Sequence, residues 1–316
     1  MSHSSRFEPG GVIAATLLAF REDLSIDEGE SRRHLRFVAD TEGLAAITVN
    51  GHASEVHACS FDEQSRILDF SLEEIGDHVP VINGVYADGT AEAARIARMS
   101  ERGGAAALLV FPPNSMAMGG SLRPEMALAH FKGIADATDL PLILFNYPAG
   151  SGLGYPFETL LRLFEAVPSI RAMKDWCNDP SLHERHIRTF QALDRPVNVL
   201  TTHSAWLMGS LVMGANGLLS GAGSVIADLQ SALFDAVRSR DLARAQAIND
   251  RIYPLARAFY APPFLDMHNR MKECLRMLGR VENAYVRPPL VKLPDDEIER
   301  LREALDAAGV RPDGAL

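Results

Sequence analysis

Short apolar runs recur along the chain, at Val12 to Leu18, Ala45 to Asn50, Val79 to Gly84, Ala105 to Phe111, Leu140 to Asn146, Ile170 to Lys174, Val197 to Thr201 and Gly217 to Ser220. Each is bounded by polar, Gly or Pro residues. Their hydrophobicity is continuous, as in strands buried on both faces. Helix-length stretches with apolar positions about 3.6 residues apart lie between them, for example Ser31 to Thr41, Ala91 to Arg102, Pro124 to Ala137 and Phe157 to Ala166. Strands alternating with helices predict an α/β fold with a helix-covered parallel sheet, and eight such units predict a closed barrel over residues 10–225. An open doubly wound sheet would need a GxGxxG turn, which neither Thr48-Val49-Asn50-Gly51 nor Val81-Ile82-Asn83-Gly84 supplies. Helical patterns at Asp228 to Arg238, Leu242 to Tyr260, Pro262 to Leu278 and Asp295 to Ala308 follow without a Ser/Gly-rich linker. They predict a helical C-terminal region, residues 226–316, packed on the barrel.

Composition narrows the partners. Of the 316 residues, 47% are hydrophobic, which excludes a disordered chain and allows a sizeable core. The formal charge is -10 and no basic run exists, so nucleic acid and anionic membrane are not expected partners. Cys59, Cys177 and Cys274 form no CxxC pair, which fits a reducing compartment and a cytoplasmic location. The run Val12 to Phe20 is too short to span a bilayer; Asp27-Glu28-Gly29-Glu30 after it opens a helix rather than a cleavage site, so the run reads as the first strand. Only four lysines occur: Lys132, Lys174, Lys272 and Lys292.

In a βα barrel the reactive groups sit at the C-terminal strand ends and in the loops that follow. Lys174 is the lysine at such a position, on the same face as Ile170 and Ala172 by period-two alternation, and that face is the barrel interior. An unpaired ammonium there is costly, so its pKa falls toward the neutral amine that attacks carbonyl carbon; the competing reading is an interior lysine paired with a carboxylate. Lys132, Lys272 and Lys292 lie on helical or Pro-flanked stretches.

The order of Gly11-Val12-Ile13-Ala14-Ala15-Thr16, Asn50-Gly51-x-x-x-Glu55, Phe145-Asn146-x-Pro148, Met173-Lys174-Asp175, Gly214-Ala215-Asn216-Gly217-Leu218-Leu219-Ser220 and Arg287-Pro288-Pro289-Leu290 resembles the dihydrodipicolinate synthase / N-acetylneuraminate lyase family of Schiff-base aldolases. The resemblance runs from about Gly11 to Leu290. It implies a TIM barrel with a C-terminal helical extension, a homo-oligomer (tetramer or dimer), and a Lys174 imine with pyruvate or another 2-oxo acid.

The departures matter as much. Where the family has two threonines to hold the carboxylate, this chain has His52 and Ala53; where it has a proton-relaying tyrosine, this chain has Phe145. The synthases' arginine after Asn-x-Pro is missing from Tyr147-Pro148-Ala149-Gly150-Ser151-Gly152, and Phe111-Pro112-Pro113-Asn114 offers no tyrosine pair. A lyase or hydro-lyase is therefore expected, but not a dihydrodipicolinate synthase. Tyr147 and His52 are candidate proton carriers beside the catalytic Lys174. Gly51, Ala53, Phe145, His203, Leu219 and Gly221 are the candidate substrate-binding residues. Phe111, Phe145, Trp176 and Trp206 lean toward a less hydrophilic substrate. A barrel that binds 2-oxo acids without turnover is the alternative. His183-Glu184-Arg185-His186 lacks HExxH spacing and is expected on a solvated helix face, so no metal and no cofactor are expected.

Overall fold

The computed structural model describes residues 7–312. Eight parallel strands close into a barrel in sequence order: β1 (Gly11–Ala15), β2 (Leu44–Val49), β3 (Val81–Val85), β4 (Ala107–Val110), β5 (Leu142–Asn146), β6 (Ile170–Asp175), β7 (Asn198–Thr201) and β8 (Gly217–Ser220). Every expected run overlaps one of them, with ends that differ by at most a few residues. The helices are α1 (Glu28–Ala39), α2 (Phe61–Ile75), α3 (Thr90–Gly103), α4 (Pro124–Ala135), α5 (Phe157–Ala166), α6 (Pro180–Phe190), α7 (Leu207–Val212), α8 (Gly223–Arg238), α9 (Leu242–Phe259), α10 (Met267–Met277) and α11 (Asp295–Ala308). This is a TIM barrel with a C-terminal helical extension. Among the described residues no helix is long and apolar enough to cross a membrane.

Local chemistry fixes the helix starts. Ser60 and Glu63 form a capping box on α2, while Asp179 accepts from the Ser181 and Leu182 amides ahead of Pro180 in the first turn of α6. The α8 helix crosses the expected boundary at residue 226 and is kinked there, with non-helical angles at Ile226 (φ -131, ψ 42). Gly84 is required by close approach, since a Cβ there would lie 1.9 Å from the Asn50 carbonyl oxygen.

Buried polar links join the tail to the barrel. Glu55 follows β2, and its carboxylate receives Lys272 Nζ from α10 and the Arg287 amide at 2.9 Å. Lys272 also donates to the Tyr285 carbonyl at 2.9 Å. Lys272 is thus a buried lysine whose charge is balanced by a carboxylate. Arg270, fully buried on α10, donates to the carbonyls of Phe259, Ala261 and Pro263 and pairs with Glu297 of α11. That clamp fixes the segment between α9 and α10, and so decides where Tyr260, Met267 and His268 stand.

Candidate active site

Strand register assembles the site. Phe145 pairs with Lys174 and Asn146 with Asp175 across β5 and β6, so the lysine and the ring that replaces the family's tyrosine are neighbours at the barrel mouth. Lys174 Nζ lies 4.1 Å from the Phe145 ring centroid, and its side chain finds no carboxylate partner among the described residues. Burial alone pulls its pKa from 10.5 to about 7. Of the two sequence readings of Lys174, the unpaired amine is the observed one.

The cavity over Lys174 is bordered by Gly51, His52, Ala53, Phe145, Trp176 and Gly221 among others. Five of these six are residues singled out in the sequence for substrate contact or catalysis. A wider depression, bordered by Met116, Met118, Leu122 and Met126, has no lysine or cysteine among the described residues that line it. The chemistry is therefore assigned to the smaller cavity, where the unpaired amine is.

Gly51 leads into a short 3-10 turn, His52–Ser54, whose later amides are used up: Ser54 N donates to Gly51 O and Glu55 N to His52 O. The His52 and Ala53 amides donate to no acceptor among the described residues. Two free N–H groups at the first turn are suited to an anionic oxygen. By the sequence resemblance these are the positions of the family's two threonines, here without the hydroxyls.

Tyr147, just beyond β5, keeps to the same side as Phe145, with ring centroids 4.4 Å apart. Its Oη shares a 3.0 Å hydrogen bond with His52 Nε2. The two proton carriers expected from the sequence are thus a hydrogen-bonded pair. Their titration differs from expectation: burial, with help from Lys174, lowers His52 to about 3, and burial holds the Tyr147 phenol well above its usual range. Neutral imidazole and neutral phenol are the working forms at pH 7.

Two expected binding residues do not reach the cavity wall. Leu219 is fully buried in β8, paired with Ile13 of β1. His203 turns away, stacked on Trp206 with centroids 4.0 Å apart, and Thr202 lines the cavity in its place. A second correction concerns His183 and His186. The expected solvated helix face is absent; both imidazoles are buried, and both Nδ1 atoms hydrogen-bond Asp175 Oδ2, at 2.7 and 2.8 Å. Burial opposes the Asp175 charge, but those two hydrogen bonds overcome it and hold the carboxyl below its usual range. Asp175, Cys177, His183 and His203 place ligand-type atoms within 4.8 Å of one another.

Sequence reasoning missed Tyr260, Met267 and His268, which enter the cavity wall from the tail. The His268 ring stands over Gly221, where a Cβ would come 2.7 Å from its Nε2. No local motif marks these positions.

The dihydrodipicolinate synthetase family model matches residues 8–308. The chain belongs to that family. It is 32% identical over 308 residues to a 4-hydroxy-tetrahydrodipicolinate synthase of Symbiobacterium thermophilum, covering 95% of this chain and 98% of that one. Two solved structures have a similar fold. A monomeric dihydrodipicolinate synthase variant superposes with a TM-score of 0.88 at 21% identity, covering 98% of this chain and all of that one. A putative dihydrodipicolinate synthetase of Pseudomonas aeruginosa gives 0.85 at 25% identity, covering 95% and 99%. Family membership makes the chain an enzyme of the Schiff-base lyase type.

Proposed function

We infer that this family member condenses Lys174 with pyruvate or another 2-oxo acid and uses the imine for carbon–carbon cleavage, carbon–carbon formation or dehydration. The observation that carries this reading is the unpaired buried amine with a pKa of about 7, facing a cavity at the strand ends. A neutral amine attacks the keto carbon, and the keto oxygen leaves as water. The cationic imine then takes up the electron pair released when a proton or a carbon–carbon bond leaves the adjacent carbon.

The free amides of His52 and Ala53 are placed to receive the 2-oxo acid carboxylate, and the Tyr147–His52 pair to move the proton that the phenyl ring of Phe145 cannot carry. Lysine biosynthesis fits poorly. No arginine among the described residues borders the cavity, and its aromatic wall of Phe145, Trp176 and Tyr260 favours a second reactant that is neutral and apolar over an anionic aldehyde.

Borohydride added with pyruvate attaches a stable adduct to Lys174, read by peptide mass spectrometry. No adduct with any of several 2-oxo acids overturns the Schiff-base reading. Robust turnover of pyruvate with aspartate semialdehyde overturns only the rejection of synthase activity.

A further inference from the structure

We propose that Asp175, Cys177, His183 and His203 form a binding site for a zinc-type divalent cation behind the lysine. The four come from three elements: Asp175 ends β6, Cys177 follows it, His183 lies on α6 and His203 follows β7. All are buried, and one ligand-type atom from each lies within 4.8 Å of the others. One thiolate, two imidazoles and one carboxylate are a donor set that zinc accepts in four-coordination.

The spacing is close to what a cation needs. Zinc bonds of about 2.0 to 2.3 Å in a tetrahedron put ligand atoms roughly 3.3 to 3.8 Å apart. The 2.7 Å separation of Asp175 Oδ2 and His183 Nδ1 and the 3.9 Å separation of Cys177 Sγ and His203 Nε2 bracket that range. Seating a cation exchanges a hydrogen bond of His183, to Asp175 or to Ser210 Oγ at 2.6 Å, for a metal bond.

His203 itself points to a ligand. Only 3% exposed and fixed by its stack on Trp206, it has no partner at Nδ1 and only the distant Cys177 thiol at Nε2. A buried imidazole so poorly satisfied is unusual in a well-packed region. The outer shell exists as well: Asp175 Oδ1 accepts from Asn146 Nδ2 and the Cys177 amide, both at 3.1 Å, and Asp175 Oδ2 accepts from His186.

Charge balances. Cys177 gives up its thiol proton to solvent when the sulfur–metal bond forms, and thiolate plus carboxylate then cancel a dication in a dry site. The bound cation would tie the loops after β6 and β7 together one residue beyond Lys174. This does not depend on the Schiff-base reading.

The test uses the full chain, purified without chelator, for elemental analysis; chelator-treated protein is then titrated with Co²⁺. Stoichiometric zinc, a near-ultraviolet thiolate-to-cobalt charge-transfer band and its loss in Cys177→Ser support the site. Zinc-edge X-ray absorption of the wild-type protein, which needs no variant, should show one sulfur neighbour at about 2.3 Å. Absence of the band in folded wild-type protein, its survival in Cys177→Ser, or a zinc shell without sulfur overturns the proposal.

Discussion

Lys174 Nζ stands 4.1 Å from the centroid of the Phe145 ring, so this amine at the barrel mouth faces a π-surface where the family resemblance implies a hydroxyl. The face of the ring offers some attraction to a cation but cannot replace water. Burial therefore wins, and the amine is largely neutral above about pH 7. Borohydride trapping with pyruvate should rise through pH 7 and level off, well below the pH of about 10.5 at which an ordinary lysine would. Lys174→Ala should abolish it. A rise delayed to pH 10 would mean the lysine is solvated.

The same depression has a stability consequence of definite sign. The unfolded chain holds the Lys174 proton up to its ordinary value of 10.5, whereas the folded chain releases it above about 7. Between these values the unfolded state binds more protons, so this residue's contribution to stability increases as pH rises. Folding with a neutral amine costs roughly 1.4 kcal/mol for each pH unit below the ordinary value. Urea unfolding should find Lys174→Met more stable than wild type, by a margin that grows as pH falls from 10 to 7 and is constant below that.

Proton transfer should depend on the Tyr147–His52 pair. Deuterium exchange into the pyruvate methyl group, followed by NMR, reports this step without a second substrate. Tyr147→Phe and His52→Gln should each slow exchange by roughly 10² to 10⁴-fold, the usual worth of a positioned acid or base, while trapping at Lys174 persists. With His52 near 3 and the phenol well above its usual range, neither group adds a limb between pH 5 and 9. If both variants exchange at the wild-type rate, the pair carries no proton, and Phe145→Tyr becomes the informative variant.

The tail should fail as a unit with the barrel when the Glu55–Lys272 pair is broken. Lys272→Met leaves a buried carboxylate with only the Arg287 amide, at a cost of about 3 to 5 kcal/mol. The double variant with Glu55→Gln should recover part of that loss. Denaturant midpoints of the two singles and the double measure the coupling, and purely additive losses would argue that the pair is not coupled.

Gly221→Ala probes the roof of the cavity. The new methyl would meet His268 Nε2, the end of a side chain that can rotate away, so stability should change by less than about 1 kcal/mol. Pyruvate concentration for half-maximal trapping should change instead. Unchanged trapping would place His268 outside the binding region.

The sequence determined the barrel because its signals are local. Each run from Val12 to Ser220 is apolar for the length of one buried strand, and the intervening stretches carry helical periodicity with their own caps. Lys174 was legible for the same reason, since alternation within β6 fixes its face from its immediate neighbours. Tertiary structure alone decided where the tail meets the site: Tyr260 and His268 reach the cavity because Arg270 and Lys272 make buried ion pairs with Glu297 and Glu55, residues distant in the chain. It also reversed the reading of His183 and His186. Helical spacing puts two imidazoles on one face, but whether that face meets water or a buried carboxylate depends on what stands opposite, and here it is Asp175 at the end of the lysine's own strand. Titration is the third such property. His52 and Lys174 have their shifted pKa values because neighbouring strands and helices remove water from them, and desolvation is set by the assembled fold rather than by the residues on either side.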